Sequence, residues 1–168
     1  MAVLVLSSAA FAIQYPVWWP APLPPIQRYE FQIQIPEAQK ETGRYAELAK
    51  VITDEERALS ALTIYHEARG QSYEGQKAVC EVIFNRWLSP KWQDTVKEII
   101  YAPGQFSVAS YLLTANINEP ECLAQAFDIV DEVLEETEYI LPSEDYVYFA
   151  TSVIGKEPKK LGNHYFCK

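Results

Sequence analysis

IYHEARGQSYEGQ, residues Ile64 to Gln76, decides how this 168-residue chain folds. The stretch closes one helical pattern at Gly70, opens another at Tyr73, and leaves a single carboxylate, Glu67, between a histidine and an arginine at the junction. Upstream, Thr53 followed three residues later by Glu56 is a capping box, after which apolar residues recur at Leu59, Leu62, Tyr65 and Ala68. That spacing predicts a helix ending at Gly70. Downstream, Ala78, Val79, Val82 and Ile83 predict a second helix from about Tyr73 to Trp87, stopped by Ser89 and Pro90.

The same reading continues toward the C-terminus. A short helix is expected near Thr95 to Tyr101, ended by Pro103 and Gly104. A longer acidic helix follows from about Pro120 to Glu138, with Ala126, Phe127, Val130, Val133 and Leu134 turned inward. YVYFATSVI (Tyr146 to Ile154) and NHYFCK (Asn163 to Lys168) then become aromatic and β-branched, which predicts a terminal β-hairpin or two short strands. The fold class is therefore α+β, mainly α, with a small sheet at the end.

Residues 1–50 read differently. MAVLVLSSAAFA is apolar and closes on an Ala-rich triplet, like the core and cleavage site of a secretory signal, but it lacks a basic start and is shorter than the roughly 20 residues a bilayer span requires. The expectation is a truncated export signal or an ordinary apolar segment, and a protein exported to the envelope or carried on a virion. Six prolines between Pro16 and Pro36 exclude a regular helix there, which leaves an extended linker or a docking arm anchored by Trp18 and Trp19, with YEFQIQI (Tyr29 to Ile35) as a short strand. The expected division is 1–50 as arm and 51–168 as the catalytic domain.

Charge narrows the partners. Residues 1–50 balance four basic against four acidic side chains, so the formal charge of -9 belongs wholly to the remainder. A nucleic-acid binder needs clustered Lys and Arg, so none is expected. The three cysteines, Cys80, Cys122 and Cys167, have no CxxC spacing, and Cys80 falls on a core face. No cofactor motif is present, and no cofactor is expected.

Three chemistries compete at Glu67. His66–Glu67 could open an H-E-x-x-H zinc helix, but the partner histidine would stand at Gly70 and is missing; a site built from His66, His164 and a carboxylate is the remaining metal reading, and no metal is expected. A solvated ion pair with Arg69 is the second. The third follows from the helix: Glu67 lies near the line through Thr63 and Leu59 and should face inward or into a cleft, where a carboxyl group can keep its proton and serve as a general acid.

YHEARGQSYEGQKAVCEVIFNRW, IIYAPGQFS and LGNHYFCK resemble, in order, the three motif blocks of the SleB-type cell wall hydrolases, the spore cortex-lytic enzyme family, across roughly Glu56 to Lys168. The resemblance implies a lysozyme-like, mainly helical catalytic domain that cleaves the MurNAc-GlcNAc strand of peptidoglycan, with Glu67 as its acid. Gln71 and Val108 depart from the family pattern, which bears on the saccharide subsites. Because hydrolysis by the usual routes needs a second carboxylate about 5 to 9 Å away, and Glu74 more simply favours a helix N-terminus, the expected reaction is lytic transglycosylation by one glutamate. The alternatives are a non-catalytic peptidoglycan-binding or envelope or virion protein, and a metal-dependent amidase. For saccharide contact the candidates are Gln105, Phe106 and Ser107 after a Pro-Gly turn, Tyr148 and His164 from the terminal strands, and Arg69. Their plainer readings are turn chemistry, a core aromatic, a strand-locking histidine and, for Arg69, a direction different from that of Glu67. Asn85 and Arg86 are read as bracing the second helix.

Overall fold

A computed structural model describes residues 42–168. The apolar start, the proline-rich arm and the YEFQIQI segment lie outside the described residues. Five helices come first: α1 (Ala46–Val51), α2 (Asp54–Ala68), α3 (Tyr73–Leu88), α4 (Val96–Tyr101) and α5 (Pro120–Glu135). Three strands follow, β1 (Tyr148–Ala150), β2 (Lys159–Leu161) and β3 (His164–Cys167).

Local signals start three of the helices. Thr53 Oγ1 accepts from the Glu56 N–H at 3.2 Å while Glu56 Oε2 accepts from the Thr53 N–H at 3.0 Å, so the capping box forms. Glu56 Oε1 also accepts from the Lys97 N–H at 3.3 Å, which fastens the start of α4 to the start of α2. Burial alone would raise the Glu56 carboxyl, yet these donors hold it below the usual range. Ser72 and Thr95 cap α3 and α4 with their side chains.

α3 is the central helix, buried from Gly75 to Arg86, and α2, α4 and α5 pack around it and one another. Its polar residues are therefore paired. Glu81, fully buried, accepts from the N–H groups of Ile140 and Leu141, both at 2.7 Å, and Asn85 Oδ1 accepts from the Tyr45 hydroxyl at 2.7 Å. Lys77 donates to Glu132 of α5 and to Glu136, the residue just past its end, at 2.9 and 2.6 Å. Cys80 is fully buried, its thiol pushed up by desolvation, and all three cysteines are free.

Three expectations change. α1 was not foreseen: it brings Tyr45 and Leu48 into the core from residues read as part of the arm. Phe127 is 39% exposed rather than inward, because the buried stripe of α5 runs through Ala126, Ile129, Val130, Val133 and Leu134 and Phe127 falls about a quarter turn from its centre. The terminal sheet has three antiparallel strands in the order β1-β3-β2 instead of two. The extra strand, Lys159–Leu161, has little β-branched or aromatic character and forms because the turn at Gly162 and Asn163 folds it onto β3.

Candidate active site

The site is built at the last turn of α2 by loops and strands from far along the chain. α4 ends at Tyr101, and the chain reverses through Gly104, whose φ of 76° suits glycine. Phe106 anchors the segment that follows: it is buried, with the Arg86 guanidinium 5.0 Å from its ring centre and Phe149 at 6.1 Å. Ser107, the next residue, consequently faces outward. Its N–H and its Oγ both donate to Glu67 Oε1, each at 3.0 Å.

Glu67 is half-buried, not sequestered as its helical position implied, because the helix ends one residue later and the chain above it opens. Ser107 grips one carboxylate oxygen. The other, Oε2, accepts from no protein group among the described residues, and an open cleft of about 340 Å³ lies along Ser107, Phe106 and Ser110.

Both histidines of the chain feel the charge of this carboxylate. His66 lies against Tyr65 and Tyr111, with ring centres 4.8 and 6.3 Å away, and burial followed by the Arg69 charge lowers its pKa against the pull of Glu67. His164 arrives on β3, only 8% exposed, with Phe149 at 5.3 Å and Phe166 at 6.2 Å. Burial lowers its pKa too, and Glu67 again pulls upward. His66 Nε2 and His164 Nδ1 are buried without a partner. Burial thus lowers both imidazoles, while the charge of Glu67 draws each of them upward. Among the described residues, no three His, Cys, Asp or Glu side chains converge as metal ligands.

The remaining candidates divide. Gln105 is half-exposed beside Ser107, and its side chain bonds to no protein group among the described residues. Phe106 takes the core role, 5% exposed, and only its edge borders the cleft. Arg69 is turned from Glu67 to Glu119, 2.8 Å from its Nε, and lies 5.0 Å from the Tyr65 ring centre. Tyr148 does not share a wall with His164. It pairs with Cys167 at the opposite end of β3, three residues or about 10 Å along the strand, and packs on Trp92 beside a different cleft of about 360 Å³ lined by Asn85, Lys91 and Asp145. That cleft is marginally larger, but the smaller one is lined by Ser107, the residue that holds Glu67, and so lies next to the carboxylate.

Sequence reading missed two features. Tyr111, 46% exposed beside His66, follows no motif; and Gln71, noted only as a departure, accepts at Oε1 from the Asn163 N–H at 2.9 Å. The Gly-Asn pair before His164 was the available signal for the second.

A family model described as Cell Wall Hydrolase matches residues 70–167, beginning just after Glu67. The spore cortex-lytic enzyme of Bacillus subtilis is 28% identical over 142 residues, covering 78% of this chain and 43% of that protein. That of Bacillus cereus is 34% identical over 116 residues, covering 66% and 43%. The chain thus spans less than half the length of these curated relatives. Two solved structures, the catalytic domain of Bacillus cereus SleB and that of the germination-specific lytic transglycosylase SleB from Bacillus anthracis, superpose with TM-scores of 0.53 and 0.54 at 27% identity. Each covers 70% of this chain, and 92% and 98% of the respective domains are matched, so the mainly helical body with its terminal sheet has the fold of the SleB catalytic domain.

Proposed function

Since the chain belongs to the cell wall hydrolase family, we propose that it cleaves the MurNAc-GlcNAc strand of peptidoglycan as a lytic transglycosylase, with Glu67 as the single acid and base. The observation that carries the proposal is the asymmetric grip on Glu67: one oxygen held by both donors of Ser107, which lines a cleft, and the other without a protein donor among the described residues. Glu67 Oε2 gives its proton to the glycosidic oxygen, and the bond to C1 breaks. The substrate's own N-acetyl oxygen stabilises the positive charge at C1. The carboxylate then takes the proton of the C6 hydroxyl as that oxygen bonds to C1, which closes a 1,6-anhydro ring and restores the acid.

One glutamate suffices because the other acids nearby are engaged or turned away. Glu119 is paired with Arg69 at 2.8 Å, and Glu74 is exposed in the first turn of α3. The name of the Bacillus anthracis neighbour supports the same route. Gln105 and Tyr111 are the side chains free to meet sugar around it, and such a substrate places the protein's action outside the cytoplasmic membrane. Residues 1–36 serve as an arm that delivers or docks the domain, whereas Tyr45 and Leu48 belong to its core.

The test is digestion of purified sacculi followed by mass analysis of the released muropeptides. Anhydro-muramyl ends are expected. Reducing ends would replace transglycosylation by hydrolysis, free stem peptides would indicate an amidase, and no release would leave a binding module.

A further inference from the structure

Gln71 lies in the turn between α2 and α3, four positions past Glu67, and its surroundings are unusually specific for a half-exposed residue. Its N–H donates to the Ala68 carbonyl at 2.8 Å and its own carbonyl accepts from Gln76 Nε2 at 3.2 Å, so its backbone is held on both sides. Gly75 leaves room for its side chain: a Cβ there would stand 3.1 Å from Gln71 Cβ. Extended across that space, Oε1 accepts from the Asn163 N–H at 2.9 Å, in the β2–β3 turn. Gly162, the residue before, has φ 55°, and a Cβ on it would stand 2.5 Å from the same oxygen. Position 162 therefore needs glycine for its backbone and for the approach of Gln71.

The next residue, the first of β3, is His164. Its ring makes no hydrogen bond among the described residues, and Nδ1 is buried and unpartnered, so its position depends on aromatic packing and on the backbone that carries it. The Gln71 contact is the one side-chain hydrogen bond made to residues 162–163 among the described residues. It joins the element bearing Glu67 to the element bearing His164.

We propose that Gln71 is a positioning residue: it latches the β2–β3 turn to the end of α2 and so holds His164 beside Glu67. This rests on the reading of Glu67 as the glycan-cleaving acid. Gln71 touches no reacting atom; it acts through His164.

The experiment uses the full chain with Gln71→Ala and Gln71→Glu, the second of which keeps an acceptor oxygen at the same reach. Three quantities are measured: kcat and KM on soluble glycan strands, amide hydrogen exchange at Asn163, and the His164 imidazole resonances. Gln71→Ala lowers kcat by about 10- to 100-fold with KM changed by less than about threefold, because the error is one of placement and not of binding. It also speeds Asn163 exchange by at least about tenfold and shifts the His164 resonances, since the latch closes that amide. Gln71→Glu restores exchange and most of kcat. A rise in KM alone would make Gln71 a substrate contact and overturn the proposal, as would a glutamate variant no better than the alanine. Unchanged Asn163 exchange in Gln71→Ala defeats the latch whatever the activity, whereas a wild-type chain that cleaves no glycan defeats the reading of the site; the two failures are separately visible.

Discussion

At the scale of single residues, Ser107 offers the sharpest handle, because its two donors to Glu67 can be separated. Ser107→Ala removes the Oγ donor at 3.0 Å and leaves the N–H donor in place. A hydrogen bond to a charged group is worth about 1.5 to 3 kcal/mol, and with one donor kept we expect kcat to fall by about tenfold with little change in thermal stability. Steady-state kinetics beside a melting curve checks this; full activity would mean that the backbone N–H alone holds Glu67. His164 gives a pH test. Burial sets its folded pKa below the unfolded value, so the unfolded chain takes up the proton first. The stability it contributes by staying neutral is present above about pH 6.5 and lost as pH falls toward the lower folded pKa. Between about pH 7.5 and 5.0 the wild type should therefore lose more Tm than His164→Gln; parallel curves would contradict it. The position of Glu67 at the end of α2 was legible in the sequence through Gly70, but the line through Thr63 and Leu59 overstated its burial. Its partner was legible only as a motif, since the 40 residues between Glu67 and Ser107 are closed by tertiary packing of Phe106 on Arg86 and Phe149.

Among elements, α3 and α5 are joined by Lys77, which reaches one carboxylate in the facing helix and one on the residue that ends it. Burial by itself would lower the Lys77 pKa, but Glu136 and Glu132 carry it well above the ordinary lysine value. Lys77→Ala leaves Glu136 without its cation in a largely buried place. Breaking a fully buried pair costs about 3–5 kcal/mol, and because Glu132 is 44% exposed we expect about 2 kcal/mol here, read as a shift in urea midpoint at unchanged m-value. A cost below about 0.5 kcal/mol would mean that water replaces the ammonium freely. Element starts were legible because Thr53, Ser72 and Thr95 act through neighbours three residues away. α1 and β2 were not. Each is short and lacks a strong pattern, and each forms because something distant receives it: Tyr45 bonds to Asn85 at 2.7 Å, and Lys159–Leu161 completes a ladder with β3. The shared wall expected from Tyr148 and His164 failed for a related reason, as strand register, which decides who stands beside whom, is not written in a lone strand.

For the whole molecule, the division of labour between arm and body can be tested by two truncations. Removing residues 1–36 should leave turnover on soluble glycan intact, since every residue assigned to the site lies at or after His66. Removing residues 1–50 should abolish folding, because it deletes Tyr45 and Leu48, both essentially inaccessible in the core. Circular dichroism and turnover on the two truncations decide it, and a folded 51–168 fragment would show that α1 is dispensable. The central claim, that one carboxylate held by Ser107 cleaves the glycan, is tested most directly by the turnover of Glu67→Gln on soluble strands. That variant keeps the side chain's size and an acceptor for Ser107 but has no transferable proton. We expect a rate lower by about 10² to 10⁴ with an unchanged melting temperature; a variant that keeps more than about a tenth of wild-type turnover would contradict the account.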